Sequence, residues 1–262
     1  MTTPDLTLSL IGIGCGNPDH LTLQAIAEIN RADLILIPDK GAGKGELAQL
    51  RDTILSRHLH ARAKVRRFAM PVRRDSGDYL SAVSDWHDAI ARAWLEAIAA
   101  EPGTRRVALL VWGDPSLYDS TLRIAERLSG IRLRVVPGIT SISALCAAHG
   151  IALNDLSAPV AILPARHLRD HGWPQGIATI AVMLDDGSAL AGCPGPARIH
   201  WGAYLGMAQQ DLIRGDLDDL RDTILSRRAA LRQQHGWIMD AYLLTKPRDG
   251  IAGPDRIAEP KE

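Results

Sequence analysis

The feature that most constrains the fold of this 262-residue chain is an alternation of short apolar runs with longer segments of helical period. The runs at 6–12 (LTLSLIG), 33–37, 106–112 (RVALLVW) and 133–136 have strand length and are apolar almost throughout. Such strands are covered on both faces, as in parallel sheets flanked by helices. Between them, 22–30, 46–57, 79–99 and 120–128 carry helical periodicity, and the third of these stops at Glu101-Pro102-Gly103, which cannot continue a helix. A basic extended segment within 62–74 supplies a further strand. After Leu156-Ser157-Ala158-Pro159 a second alternation begins, with strands at 160–163, 179–184, 199–205 and 237–244 and a helix at 217–234. The pattern predicts two α/β domains with mainly parallel sheets, 1–150 and 151–262, joined at 150–159 and followed by a polar tail from Pro247.

Charge and composition then remove whole classes of function. Thirty basic side chains balance thirty acidic ones, which leaves no excess of the charge that drives phosphate-backbone binding. With 4% aromatics and a single Phe, a base-stacking platform is excluded too, so no nucleic-acid partner is expected. No run approaches the ~20 apolar residues of a membrane span, and residues 1–5 lack the start of a signal peptide. A cytoplasmic protein without a membrane partner is expected. Cys15, Cys146 and Cys193 are odd in number and far apart, so they read as reduced thiols and not as a metal site. The octapeptide LRDTILSR occurs at 50–57 and again at 220–227 with unmatched flanks. It reads as two amphipathic helices facing the same way, not as a domain duplication.

Three turns carry the chemistry. The first, Gly12-Ile13-Gly14-Cys15-Gly16-Asn17-Pro18-Asp19-His20-Leu21-Thr22, follows the first strand. Its glycines allow tight turning and close approach of a ligand, and Asp19 or Thr22 can cap the next helix. A dinucleotide fingerprint needs its third glycine one place beyond Gly16; an NAD(P)-dependent oxidoreductase with Asp39 at the ribose is therefore the alternative enzyme class. The second turn, Trp112-Gly113-Asp114-Pro115-Ser116-Leu117-Tyr118, lies at the carboxyl end of a buried strand, where ligands of open α/β sheets collect. Asp114 there either accepts hydrogen bonds from a ligand or caps a helix. The third, Val136-Pro137-Gly138-Ile139-Thr140-Ser141, repeats that geometry.

In this order the three segments resemble the tetrapyrrole methylases, class III S-adenosylmethionine-dependent methyltransferases, which carry V-G-x-G-P-G-D-x-x-L-T, G-G-D-P and V-P-G-x-[TS]-S. More narrowly, residues 17–25 (NPDHLTLQA), 201–206 (WGAYLG) and 236–240 (GWIMD) resemble the branch of the family acting in aerobic cobalamin biosynthesis. Cys15 and Asn17 stand where the family has Pro and Asp, and Trp112 replaces the first glycine of G-G-D-P as a bulky wall. The resemblance implies a cleft between two domains that holds S-adenosyl-L-methionine and no metal. The cofactor contacts it implies are Cys15, Trp112, Gly113, Asp114, Leu117, Thr140 and Ser141 from the first domain, with Met183 and Ala241 from the second. It further implies a homodimer, and methylation of precorrin-5 at C-1 with loss of acetate; another ring carbon, or a non-catalytic tetrapyrrole carrier, is the alternative.

A carboxylate-rich macrocycle needs cations at its rim. Arg62, Lys64, Arg66, Arg67, Arg73 and Arg74 cluster in sequence, and Arg66 and Arg67 in an extended segment face opposite ways, so at most half can meet one ligand. Arg66, Arg73 and, from the second domain, Arg166 are the substrate candidates, with His167 and Arg169 beside the last as a lid. For hydrolytic loss of acetate, Asp114, His20 and Tyr118 are the candidate proton-transfer groups, with Asp19 nearby. No triad emerges; a lone His opening a helix is more often a cap or packing partner, and substrate carboxylates can carry the protons themselves.

Overall fold

The computed structural model describes residues 6–39, 45–73, 78–193 and 195–247; Arg74 and the tail beyond 247 lie outside the described residues. Strands β1 (Leu6–Gly12), β2 (Leu34–Asp39), β3 (Lys64–Ala69), β4 (Arg106–Val111) and β5 (Ile131–Val136) form one sheet in the order β3-β2-β4-β1-β5. Every neighbouring pair in it is parallel. Helices α1 (Leu23–Arg31) and α2 (Gly45–His58) cover one face, where Ile11, Ile35, Ile37 and Leu110 meet Ala25, Ile29 and Ile54. On the other face α3 (Tyr79–Ala99) and α4 (Thr121–Ala125) bring Ile90, Trp94 and Ile124 against Leu8, Leu10, Leu36 and Leu109. Alternate strand residues serve opposite cores, which is why the runs read as continuously apolar. Arg66 and Arg67 obey the same rule: the first donates to Glu101 beyond α3, the second to Asp52 on α2.

The second sheet runs β6-β7-β10-β8-β9, from β6 (Val160–Pro164), β7 (Thr179–Met183), β8 (Arg198–Ala203), β9 (Asp211–Asp216) and β10 (Asp240–Thr245). Here only β6 and β7 are parallel; the remaining three pairings are antiparallel. The turn at 204–210 that joins β8 to β9 is too short for a parallel crossover. Residues 211–216 (DLIRGD) form a strand without a strand pattern in sequence, since two Asp, an Arg and a Gly mask the signal of this edge.

Helices α6 (Ala165–His171), α7 (Ser188–Gly192) and α8 (Leu217–His235) cover one face of this sheet, burying Ile180, Val182, Trp201 and Tyr242 under Leu168, Leu190, Ile224 and Leu231. The other face is covered by α5 (Ser141–His149), which precedes the expected boundary yet packs Ile142, Ala144 and Leu145 against Ala181 and Leu243. Its ends carry ordinary signals: the Thr140 hydroxyl accepts from the Ser143 amide, and Gly150 closes the helix at φ 65°. The repeated octapeptide occupies α2 and α8 in the same sense. Ile54 and Ile224 are both fully buried, and Arg51 and Arg221, each second in its copy, donate to the carbonyls of Leu110 and Leu190.

A buried polar knot holds α8 to the second sheet. Arg228 donates through Nε to Asp240 Oδ2 at 2.9 Å, and the Trp201 indole donates to the same oxygen at 2.9 Å. Further donations run from Arg228 to the carbonyls of Asp185 and Asp186, and from the Tyr242 hydroxyl to Asp185. Burial pushes the Asp240 carboxyl up against the pull of Arg228, so the carboxylate depends on its partner. Arg228→Ala is expected to cost about 3–5 kcal/mol in urea unfolding, because it leaves a buried charge uncompensated.

Candidate functional site

At the carboxyl ends of β1, β4 and β5 the three glycine turns cross backbone to backbone. A Cβ on Gly12 would lie 2.5 Å from the Gly138 amide nitrogen, and one on Gly138 would lie 2.1 Å from the Gly113 carbonyl oxygen. Gly14 and Gly113 exchange both hydrogen bonds, at 3.2 and 2.8 Å. Only glycine fits where two main chains approach this closely. Gly113 differs from the other two. It adopts φ +67°, and a Cβ there would meet nothing within 4 Å, so its outer side is open.

Asp114 ties two of these turns together. Its Oδ2 accepts from the Gly138 amide at 2.8 Å, while Oδ1 accepts from the Ser116 amide at 2.8 Å and from the Ser116 hydroxyl. Burial pushes this carboxyl up, but the bonds from Ser116 and Gly138 outweigh it and hold the group below the usual carboxylate value. Nearby, Cys15 Sγ donates to the Ile139 carbonyl at 3.3 Å, and burial drives its thiol up to about 12, so it stays protonated. Cys15 shares an apolar cluster with Leu117, Ile139 and Met183. The Ser141 hydroxyl reaches the Met183 sulfur at 3.9 Å, and Met183 pairs in the ladder with Ala241. Cys15, Gly113, Asp114, Leu117, Thr140, Ser141, Met183 and Ala241 thus gather where the two sheets meet. Trp112 instead packs half-buried against the core beneath α1 and α2.

Two of the three proton-transfer candidates have their polar atoms bonded within the protein, and the third is packed. Both Asp114 oxygens are taken by protein donors. The Tyr118 hydroxyl donates to the Ile162 carbonyl on β6 at 3.0 Å, and burial raises its phenol. His20 is a wedge: a Cβ on Gly14 would meet its Cβ at 2.9 Å, and one on Gly206 would meet its Cε1 at 3.2 Å. Its Nδ1 is buried without a partner among the described residues. Of the substrate candidates, Arg66 is drawn to Glu101, which it shares with Lys64 at the amino end of the sheet, opposite the glycine turns. Arg73 and Arg166 converge on the ring of Tyr79. In the expected lid, His167 packs on the His171 ring and Arg169 pairs with Asp170.

The profile of the Tetrapyrrole (Corrin/Porphyrin) Methylases matches residues 7–221 of this chain. The chain belongs to that family. It is 45% identical over 249 residues to a precorrin-6A synthase [deacetylating] of Sinorhizobium sp, spanning 92% of this chain and 95% of the relative. Among solved structures, it is similar to the cobalamin synthesis related protein CobF of Corynebacterium diphtheriae, with TM-score 0.77, 35% identity and coverage of 91% and 98% of the two chains. The same fold, at 18% identity and TM-score 0.57, is found in a uroporphyrin-III C-methyl transferase of Thermus thermophilus complexed with S-adenosyl homocysteine, over 91% of this chain and 92% of that one.

Membership of the methylases agrees with what the first turn excludes. A dinucleotide loop leads its glycines straight into a helix whose N-terminus receives the pyrophosphate. Here the Gly12 approach is filled by Gly138, and a 3₁₀ turn at Pro18–His20 stands before α1, which Thr22 caps. The candidate site also involves contacts that pattern reading does not show. Gly16 packs on Leu205 and Met207, so the turn after β8 closes over the first glycine loop. Leu184 was expected to continue β7, but takes φ 60° and stands exposed beside Met183 because Asp185, next in the chain, accepts from the Gly187 and Ala189 amides. No sequence signal marks a leucine held in the left-handed region.

Two contrasts test this geometry. Gly138→Ala is expected to abolish folding, judged by circular dichroism. Gly113→Ala is expected to keep the fold at a cost of about 1–2 kcal/mol for its positive φ and to weaken ligand binding by calorimetry. Asp114→Asn turns an acceptor into a donor facing donors, at an expected cost of about 1–3 kcal/mol. The lowered folded value means the Asp114 contribution is full above about pH 4 and is lost as pH falls through that lower value. Urea titrations across pH 2–6 should therefore show a flatter acid limb in the variant than in the wild type.

Proposed function

We propose that this chain is an S-adenosylmethionine-dependent C-methyltransferase of corrin biosynthesis, which methylates precorrin-5 at C-1 with loss of acetate to give precorrin-6A. The observation that carries this reading is the identity of 45% to a deacetylating precorrin-6A synthase across 92% of the chain, within a family of methylases. A cofactor cradle is consistent with the open side of Gly113, where a Cβ would project into space, next to Leu117, Ser141 and Met183. When bound, the sulfonium supplies an electrophilic methyl group and needs no metal.

The protein's part is placement. Displacement at a methyl carbon requires alignment of nucleophile and leaving group, and proximity with orientation is worth ~7–11 kcal/mol. The Gly12, Gly113 and Gly138 crossing and the Asp114 staple make the cradle rigid before any ligand arrives. We assign the proton handling of deacetylation to substrate carboxylates, since the Asp114 oxygens and the Tyr118 hydroxyl are bonded within the protein. The working form is read as a cytoplasmic homodimer with domains 1–150 and 151–262, without a nucleic-acid or membrane partner; among the described residues no helix is long and apolar enough to cross a membrane.

Incubation with precorrin-5 and S-adenosylmethionine, followed by mass spectrometry, is expected to show gain of one methyl and loss of one acetyl group in the same product. A product methylated but still acetylated would place the enzyme at another carbon of the ring.

A further inference from the structure

Tyr79 opens α3 and is 54% exposed, and two guanidinium groups sit over its ring. Arg73, from the segment after β3, lies 5.4 Å from the ring centroid, and Arg166, from the first turn of α6, lies 5.7 Å from it. Both are within cation–π range. The two arginines come from opposite halves of the chain and meet at this one ring.

Charge pairing sets this pair apart. Arg66, Arg67, Arg127 and Arg169 each hold a carboxylate, of Glu101, Asp52, Asp88 and Asp170 respectively. Among the described residues no carboxylate hydrogen-bonds or ion-pairs with Arg73 or Arg166. Asp170, one turn on from Arg166, feels its charge but is bonded to Arg169. Arg166 follows Pro164, the ladder partner of Met183, so the pair lies at the rim where β6 and β7 end beside the cofactor candidates. Exposed Val72 and Leu80 flank it. Two forked cations set over one aromatic ring, with no carboxylate bonded to either among the described residues and apolar surface alongside, match a carboxylate carried on an apolar macrocycle.

We propose that Tyr79 is a positioning residue that gathers Arg73 and Arg166 into a clasp for a substrate carboxylate, so that recognition draws on both halves of the chain at once. This rests on the reading of the substrate as a carboxylate-bearing tetrapyrrole. The ring restricts two long side chains before the ligand binds, which lowers the ordering cost of recognition. Tyr79 itself takes no part in bond making; its phenol oxygen is dispensable and its π face is not.

The test uses the full chain with two probes, a porphyrin octacarboxylate followed by fluorescence and S-adenosylhomocysteine followed by calorimetry. Tyr79→Leu is expected to weaken the porphyrin about tenfold, the loss of two cation–π contacts, and to leave S-adenosylhomocysteine affinity unchanged. Tyr79→Phe should restore porphyrin affinity. In turnover, Tyr79→Leu should raise KM and leave kcat unchanged, and Arg73→Gln or Arg166→Gln should add little on the Tyr79→Leu background. Wild-type porphyrin affinity in Tyr79→Leu, or failure of Tyr79→Phe to rescue, overturns the clasp and leaves the methyltransferase reading standing. Absence of porphyrin binding by the wild type overturns the clasp, and absence of methyl transfer to precorrin-5 overturns the reading on which it rests.

Discussion

Everything at the carboxyl rim of the first sheet depends on three main chains passing within contact distance of one another. Gly12, Gly113 and Gly138 come from turns that follow three neighbouring strands, and the parallel order β4-β1-β5 delivers them to one place. A Cβ at Gly12 or Gly138 would sit 2.5 or 2.1 Å from facing main-chain atoms, well inside van der Waals contact, and would force the turns apart. Asp114 then fixes the spacing by accepting from Gly138 across the gap. The carboxylate that pattern reading offers as a ligand or proton acceptor is, in the fold, the staple that lets a neighbouring glycine face outward.

The second half of the chain completes the site by packing, not merely by proximity. Helix α5 leaves the first sheet and serves as the inner cover of the second, so Leu145 and Ile142 share a cluster with Ala181, Leu243 and Cys15. Tyr118 donates across to β6, Ser141 reaches Met183, and the turn at 205–207 presses on Gly16. Contacts this continuous suit a reaction that gains from fixed alignment more than from acid or base groups. The buried Arg228–Asp240 pair plays the same part behind the second sheet, fixing α8 and the end of β10 that carries Ala241.

The octapeptide shared by α2 and α8 shows how far local sequence reaches. In both copies the isoleucine is fully buried and the leading arginine donates to a leucine carbonyl of another element. Beyond the helix the copies diverge. Asp52 in the first holds Arg67 of β3, while Arg227 in the second holds Asp211 of β9. Identical segments build identical faces, and their partners are set by what the rest of the chain brings to them.

The amino-acid sequence by itself determined the class of fold, the five parallel strands, the long helix at 79–99 and the three turns, because periodicity and glycine are local signals. It also carried enough of the family's motifs to name the chemistry. Only the tertiary structure decided which glycines are structural and which is open, that Arg66 belongs to Glu101, that His20 is a wedge and that Tyr118 bonds to Ile162. The antiparallel half of the second sheet and the allegiance of α5 were decided there too. The physical reason is common to all of these: they are contacts between residues far apart along the chain, and a side chain's role depends on which distant donor, charge or backbone the fold sets against it.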